Sequence, residues 1–287
     1  MTATAQHIII TGATGGIGSA TTKALAKRGH RLTLIARDEG RLRRLAAEAA
    51  IAANQVKTIS ADLTETTRHR QLIEQAIARQ GPIDTLINNA AINWFGRFEQ
   101  MPTIDIDRLL LTDIAVPLHM ARAVLPHMQQ QRAGSIVNVG SVFGGIGFAG
   151  FAVYSSCKFA LRGFSEALRR EVADSGVHIL YVAPRYTKTG FNAGAIERMA
   201  SGLGMTVDEP ELVAARIVRA MDKLQAETTI GWPEKFFARL NALMPRLVDG
   251  GLARTSRRIL QFVDADTAPP PATATAITTT MNIKGAK

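Results

Sequence analysis

A single cysteine, Cys157, stands in 287 residues. One thiol leaves no internal disulfide and no cysteine-cluster metal site, and no metal is expected. Long apolar runs are missing as well: the longest, such as Leu109-Leu110-Leu111, fall far short of the ~18 consecutive residues of a membrane span. No basic region followed by an apolar stretch and a cleavage site follows Met1, so no secretory signal is read and the expected location is cytoplasmic. Aromatic residues are scarce at 6%, and residues 1–60 contain none. That absence bears on the net charge of +10, because those same residues hold nine Lys/Arg against three acids. Nucleic-acid surfaces interleave cations with exposed aromatics. The basic start therefore reads as a solvated face beside an anionic cofactor, with no nucleic-acid partner.

What is present is ordinary for a globular chain: 46% hydrophobic and 20% charged residues, with no internal repeat. Short apolar runs alternate with helical patterns, which predicts βαβ units around a parallel sheet. Strands are expected at 7–11, 31–36, 56–60, 85–88, 135–140, 178–182 and near 228–231. Helices are expected near 17–28, 39–53, 66–80, 104–131, 151–175 and 211–225. The strands are continuous Val/Ile/Leu runs, as strands buried on both faces are. The fold class is α/β: a doubly wound, Rossmann-type parallel sheet of about seven strands with helices on both faces. It forms one domain over 1–232, with an irregular, glycine-rich loop at 184–209. Residues 233–266 form a basic amphipathic extension packed on the domain, broken by Pro245 and Gly250-Gly251. Residues 267–287, rich in Ala, Thr and Pro, read as a disordered tail.

Thr11-Gly12-Ala13-Thr14-Gly15-Gly16-Ile17-Gly18 lies between the first strand and the first helix. Glycines there permit a tight turn and let a pyrophosphate approach the free N–H groups of the helix start. Arg37 closes the second strand, where a dinucleotide-binding fold meets the adenosine ribose. A guanidinium there suits a 2′-phosphate and favours NADP(H) over NAD(H), although Asp38 could instead take the ribose hydroxyls if the turn shifts by one. Tyr154 and Lys158, four apart on a helix, share a face. An ammonium favours the phenolate and lowers the tyrosine pKa, which gives a proton donor or acceptor. Ser141 ends the fifth strand thirteen residues earlier.

Together, Thr11-Gly12, Gly16-Ile17-Gly18, Asp62, Asn88-Asn89-Ala90-Ala91, Ser141 and Tyr154…Lys158 resemble the short-chain dehydrogenase/reductase family, in order and spacing, over residues 7–190. Gly12/Gly16/Gly18 suits the compact oxidoreductases and Gly12/Gly15/Gly18 the longer epimerase branch; length and the Asn-Asn-Ala-Ala run favour the compact one. The resemblance implies that Tyr154 gives a proton to a carbonyl oxygen that Ser141 also hydrogen-bonds. Lys158 holds the nicotinamide ribose and tunes Tyr154. It implies a cofactor site of Gly12, Thr14, Gly15, Gly16, Ile17, Gly18 and Arg37, with Asp62 and Leu63 facing adenine and Asn89, Ala90 and Ala91 facing its ribose. Pro184, Thr187 and Thr189 border the carboxamide. Asp113 replaces an asparagine that relatives use through its main-chain carbonyl to order a water in a proton relay. Arg185 replaces a glycine, either clamping an anionic substrate group or forming a structural salt bridge.

Val142, Phe143, Ile146, Phe148, Phe151 and Val153, with Trp94, Phe95 and Phe98 on another edge, suit a largely apolar ketone, aldehyde or 3-oxoacyl substrate. The expected activity is reduction of that carbonyl. The alternatives are an NAD-linked alcohol or hydroxysteroid-type dehydrogenase, or an NADP-binding regulator without turnover. A homodimer or homotetramer is expected. Residues 233–263 carry net +4; a cap over the substrate pocket or a subunit contact is preferred to a membrane surface for them, and Cys157 reads as a small helix residue.

Overall fold

Strands that bury both faces need cover on both sides, and the chain supplies it by returning through a helix after most strands. The computed structural model describes residues 5–49 and 55–267. Its strands are β1 (His7–Thr11), β2 (Arg31–Ala36), β3 (Val56–Ser60), β4 (Thr85–Asn88), β5 (Gly134–Val139), β6 (Val177–Ala183) and β7 (Glu227–Thr229). All pair in parallel in the order β3-β2-β1-β4-β5-β6-β7. The order reverses between β1 and β4, and the crevice beyond the carboxyl ends at such a reversal is where open α/β sheets bind ligands.

Side-chain alternation sorts the core into two layers. Ile8 and Ile10 of β1 meet Leu25 of α1 (Gly16–Ala26) and Val213 and Ile217 of α8 (Pro210–Asp222). Ile9 faces the other side, toward Leu72 and Ile73 of α3 (His69–Gln80), Val124 of α5 (Val116–Gln131) and Leu168 of α6 (Ala152–Glu171). Between α1 and α3, α2 (Glu39–Glu48) covers β2 and β3. Gly29, Gly81 and Gly176 have positive φ where a helix stops before the next strand; α5 stops instead at Arg132, whose φ is +52°, and Gly134 already belongs to β5.

The stretch Thr103–Gln131 is long and apolar enough to cross a membrane by composition. It nevertheless packs in the core against β4, β5 and α6. It comprises α4 (Thr103–Leu110), a π-helical turn at Leu111–Ala115, and α5. In that turn the Val116 N–H reaches the Leu111 carbonyl, five residues back. Pro117 has no N–H to offer the Asp113 carbonyl, so the helical ladder is interrupted just where Asp113 points inward.

Two expectations fail in the C-terminal part. The stretch 184–209 contains a helix, α7 (Ala195–Gly202), whose Ile196, Met199 and Ala200 are buried. After α9 (Glu234–Leu243), α10 (Pro245–Thr267) runs straight through Gly250-Gly251. Two glycines cost a helix about 1 kcal/mol each, but buried Val248 on one side and Ile259 and Val263 on the other hold it. Pro245 occupies the first helical position, where its missing N–H costs nothing. The Ala/Thr/Pro tail, from 268 on, and the expected end of the second helix at 50–53 lie outside the described residues.

A polar chain crosses the core beneath the site. The Asn88 amide donates to Asn138 (2.9 Å), the Asn138 amide to Ser165 (2.8 Å), and the Ser165 hydroxyl to the Leu161 carbonyl (2.7 Å). It ties β4 and β5 to α6. Asn138→Ala leaves the Asn88 amide only its longer bond to the Pro117 carbonyl (3.3 Å) and takes the Asn138 donor from the Ser165 hydroxyl, so urea unfolding should show a loss of ~1–3 kcal/mol; a loss near zero would mean that water takes the vacated place.

Candidate active site

Loops from the carboxyl ends of six strands surround one cavity of about 1200 Å³. At β1 the Thr11 hydroxyl accepts the N–H groups of Asn89 (3.0 Å) and Ala90 (3.1 Å). The Asn89 amide returns to the carbonyls of Thr11 and Gly12, both at 3.1 Å, so this side chain holds the glycine loop together. Gly12 has φ +60°, and a Cβ there would lie 2.7 Å from the Ala90 backbone. A Cβ on Gly18 would overlap the Gly12 carbonyl, and one on Gly16 the Thr189 side chain; at Gly15 the nearest atom stands off at 3.3 Å. The tightly constrained set is thus Gly12, Gly16 and Gly18. No side chain caps α1, so its first N–H groups are free for an anion beside Thr14, Gly15 and Ile17. A cradle this close, in front of an uncapped helix start, fits a dinucleotide pyrophosphate.

At the far end of the cavity lie Arg37, Asp62, Leu63, Ala90 and Ala91. Asp38 caps α2, its carboxylate accepting the Arg41 N–H at 2.9 Å. The Arg41 guanidinium donates to the Thr14 carbonyl (2.8 Å) and lines the same end. Sequence reasoning missed Arg41, since only the docking of α2 on the glycine loop sets it apart from its neighbours Arg43 and Arg44. Asp62 is held in place by the Thr64 N–H (2.9 Å) and hydroxyl (2.8 Å). Those two bonds, then Arg37, hold its carboxyl below the usual range.

Ser141, Tyr154 and Lys158 meet in the middle of the cavity. Tyr154 and Lys158 lie one turn apart on α6, and the Lys158 ammonium is 5.3 Å from the Tyr154 ring centre. Ser141 follows β5, and its oxygen accepts the Phe143 N–H (3.1 Å), which leaves the hydroxyl proton available to a ligand. Tyr181 of β6 supports this loop: its hydroxyl lies within hydrogen-bond reach of the Ser141 N–H (3.3 Å) and carbonyl (3.2 Å). Burial pushes the Tyr181 pKa up to about 12. Asp113 alone among the predicted catalytic and cofactor-binding residues is outside the cavity lining. It sits behind Lys158, one oxygen accepting the Ile92 N–H (2.8 Å) and the other 2.9 Å from the ammonium as an ion pair.

These neighbours set the protonation states. Burial works against the Lys158 ammonium, but Asp113 and then Tyr154 outweigh it, and the lysine pKa rises. Burial also raises the Tyr154 pKa, with Asp113 adding to it, and the opposing pull of Lys158 and Ser141 is smaller. The direction is opposite to the lowering expected from Lys158 alone. Burial likewise lifts the Cys157 thiol to about 11, so this cysteine stays an inert, buried helix residue.

Beyond Tyr154 the cavity widens between two walls. Phe143, Ile146, Phe148 and Phe151 form one; Phe237 and Leu240 of α9 with Leu247 and Leu252 of α10 form the other. Trp94 and Phe95 do not reach it: they pack behind, with the Phe95 ring tilted against Phe151 at 4.8 Å. Phe98 is exposed, and Val153 packs in the apolar cluster of the wall without lining the cavity. Pro184, Thr187 and Thr189 line the near side. The Arg185 side chain makes a bidentate pair with Asp208 (2.8 and 3.0 Å) and reaches Glu234 at 3.3 Å. It is a structural strut joining the segment after β6 to α9, and its charge is already neutralised, which removes the substrate-clamp reading.

A family model described as short chain dehydrogenase matches residues 6–200, and the chain belongs to that family. It is an NAD(P)-dependent oxidoreductase. It is 32% identical to an uncharacterized oxidoreductase, YxnA, of Bacillus subtilis, over 85% of this chain and 70% of that one. A 3-ketodihydrosphingosine reductase of Bos taurus is 33% identical over 78% of this chain and 71% of its own. A solved short-chain dehydrogenase from Streptomyces avermitilis superimposes with a TM-score of 0.76 at 28% identity, over 88% of this chain and 98% of that one.

Asp113→Asn keeps an acceptor for the Ile92 N–H and removes the charge. Both effects of that charge on Tyr154 then vanish: its own repulsion of the phenolate, and its cancellation of Lys158. The alkaline limb of the pH–rate profile should move to lower pH. An unmoved profile would show that the carboxylate charge does not reach Tyr154.

Proposed function

We propose that the chain uses NADP(H) to reduce the carbonyl of a long, largely apolar substrate to an alcohol. One observation carries this reading: one continuous cavity joins a cationic end, Arg37 and Arg41, through Ser141, Tyr154 and Lys158, to a chamber walled by Phe and Leu side chains. Two guanidiniums at the adenosine end suit a 2′-phosphate, by charge and by fork geometry. Asp38 lines the same end and spends one carboxylate oxygen on its helix cap, so the preference for NADP(H) rests on the two guanidiniums.

The bound nicotinamide supplies hydride. The protein's own residues do the rest. Ser141 offers its hydroxyl proton to the carbonyl oxygen, which stabilises charge gathering there. Tyr154, kept protonated by burial, delivers its proton to the same oxygen as general acid. Lys158 lies over the ring and favours the phenolate that remains, and Asp113 fixes Lys158. The aromatic walls exclude water and seat an alkyl chain. Relatives named for a ketodihydrosphingosine and for a ketoacyl group support a keto group on such a chain.

The test is a panel of ketones, aldehydes and 3-oxoacyl thioesters of graded chain length, followed by loss of reduced cofactor. With NADPH, kcat/KM should climb by up to ~4-fold per methylene until the chamber is full; flat dependence on length would overturn the apolar substrate. Tyr154→Phe should lower turnover at least ~100-fold with NADPH binding unchanged. Arg37→Asp should weaken NADPH ~10–100-fold and spare NADH, as read by cofactor fluorescence. Equal wild-type affinity for the two cofactors would end the NADP(H) assignment.

A further inference from the structure

The outward side of the C-terminal hairpin is apolar and uncovered. No residue of α9 is buried. Trp232 is 73% exposed, Phe236 49%, Leu243 81%, Met244 53% and Leu247 57%. The Trp232 and Phe236 rings lie 6.1 Å apart and form one cluster with Phe237. A contiguous exposed apolar patch of this kind marks a contact surface. Exposed Lys235, Arg239 and Arg246 stand among these residues, and the one acid in the stretch 232–246, Glu234, is tied to Arg185.

This pairing of apolar and cationic groups selects the occupant. A second copy of the chain, meeting the patch through a twofold contact, would set the same three cations against one another. An anionic bilayer surface accepts both components: indole and phenyl rings settle at the headgroup level, and Lys and Arg meet lipid phosphates. The hairpin also faces two ways. Leu247 of α10 belongs to the exposed patch and to the chamber lining, and Phe237 and Leu240 line the chamber from α9. On the inner side the Asn241 amide donates to the Gly145 carbonyl (3.0 Å), in the loop that follows Ser141. We propose that this face docks on the surface of an anionic lipid bilayer, with the chamber mouth turned toward the lipid.

Docking needs neither cofactor nor substrate, so it is tested apart from the reductase reading. The full chain is sedimented with vesicles of phosphatidylcholine alone and of phosphatidylcholine mixed with phosphatidylglycerol. Binding to the mixed vesicles, weakened by salt, is expected. Trp232→Ser with Leu243→Ser, and separately Lys235→Glu with Arg239→Glu, should each lower the bound-to-free ratio at least ~10-fold. Because all four side chains are exposed, thermal unfolding should be unchanged. Absence of binding to either vesicle, or binding that both double variants retain, would overturn the proposal. So would an oligomer that the first double variant splits while vesicles fail to bind, since a second copy would then cover the face.

Discussion

The Lys158 ammonium is 2% exposed and the Asp113 carboxylate beside it is fully buried, and the elements around the site are arranged to hold this pair. Taking one ion out of water costs several kcal/mol, and a partner left alone would be worse than no pair at all. The carboxylate is brought to Lys158 by the π turn between α4 and α5. Its second oxygen is fixed by the Ile92 N–H, which belongs to the chain leaving β4. One ion pair therefore locks the helix after β4, the loop after β4 and α6 into a single geometry. The Asn88–Asn138–Ser165 chain repeats the same connection one layer deeper, with neutral groups.

The legible part of the fold is the part with local causes. The first four strands begin and end as the apolar runs do, because each run is bounded by a turn and, apart from the edge strand β3, buried on both faces. The glycine loop, Ser141, Tyr154 and Lys158 were legible for a related reason: the carboxyl edge of a parallel sheet gathers residues from the ends of successive strands. What escaped has distant causes. Arg185 finds Asp208 and Glu234, 23 and 49 residues away, and nothing near it in sequence distinguishes a strut from a clamp. Arg41 acquires meaning only where α2 touches the glycine loop. Trp94 and Phe95 have the composition of a pocket wall, yet they pack with Ile259 of α10 behind Phe151, in the same apolar cluster as the wall but not facing the cavity. Gly250-Gly251 stays helical because buried side chains flank it, against its local propensity.

The C-terminal hairpin answers two demands with one short helix. Its inner residues complete the chamber, which the sheet and α6 leave open on one side. A helix of ten residues that buries nothing completely has little intrinsic stability in water. What fixes it is specific and polar: Glu234 to Arg185 at its start, Asn241 to Gly145 near its end. A wall anchored by a few polar contacts can shift without unfolding the core, and it borders both the mouth of the chamber and the loop that carries Ser141.

The protonation of Tyr154 follows from the competition among its neighbours. A lysine beside a tyrosine favours the phenolate, and with no other influence the pair would suit a base. Here the ring is buried, which favours the neutral phenol, and Asp113 cancels part of the ammonium charge before it acts on the ring. An asparagine at 113 could accept the same Ile92 N–H but could not cancel that charge. The carboxylate thus shifts the balance at Tyr154 toward the protonated form, the form a carbonyl reduction consumes. The carboxylate that makes the buried lysine tolerable adds to what burial does at Tyr154, favouring the neutral phenol.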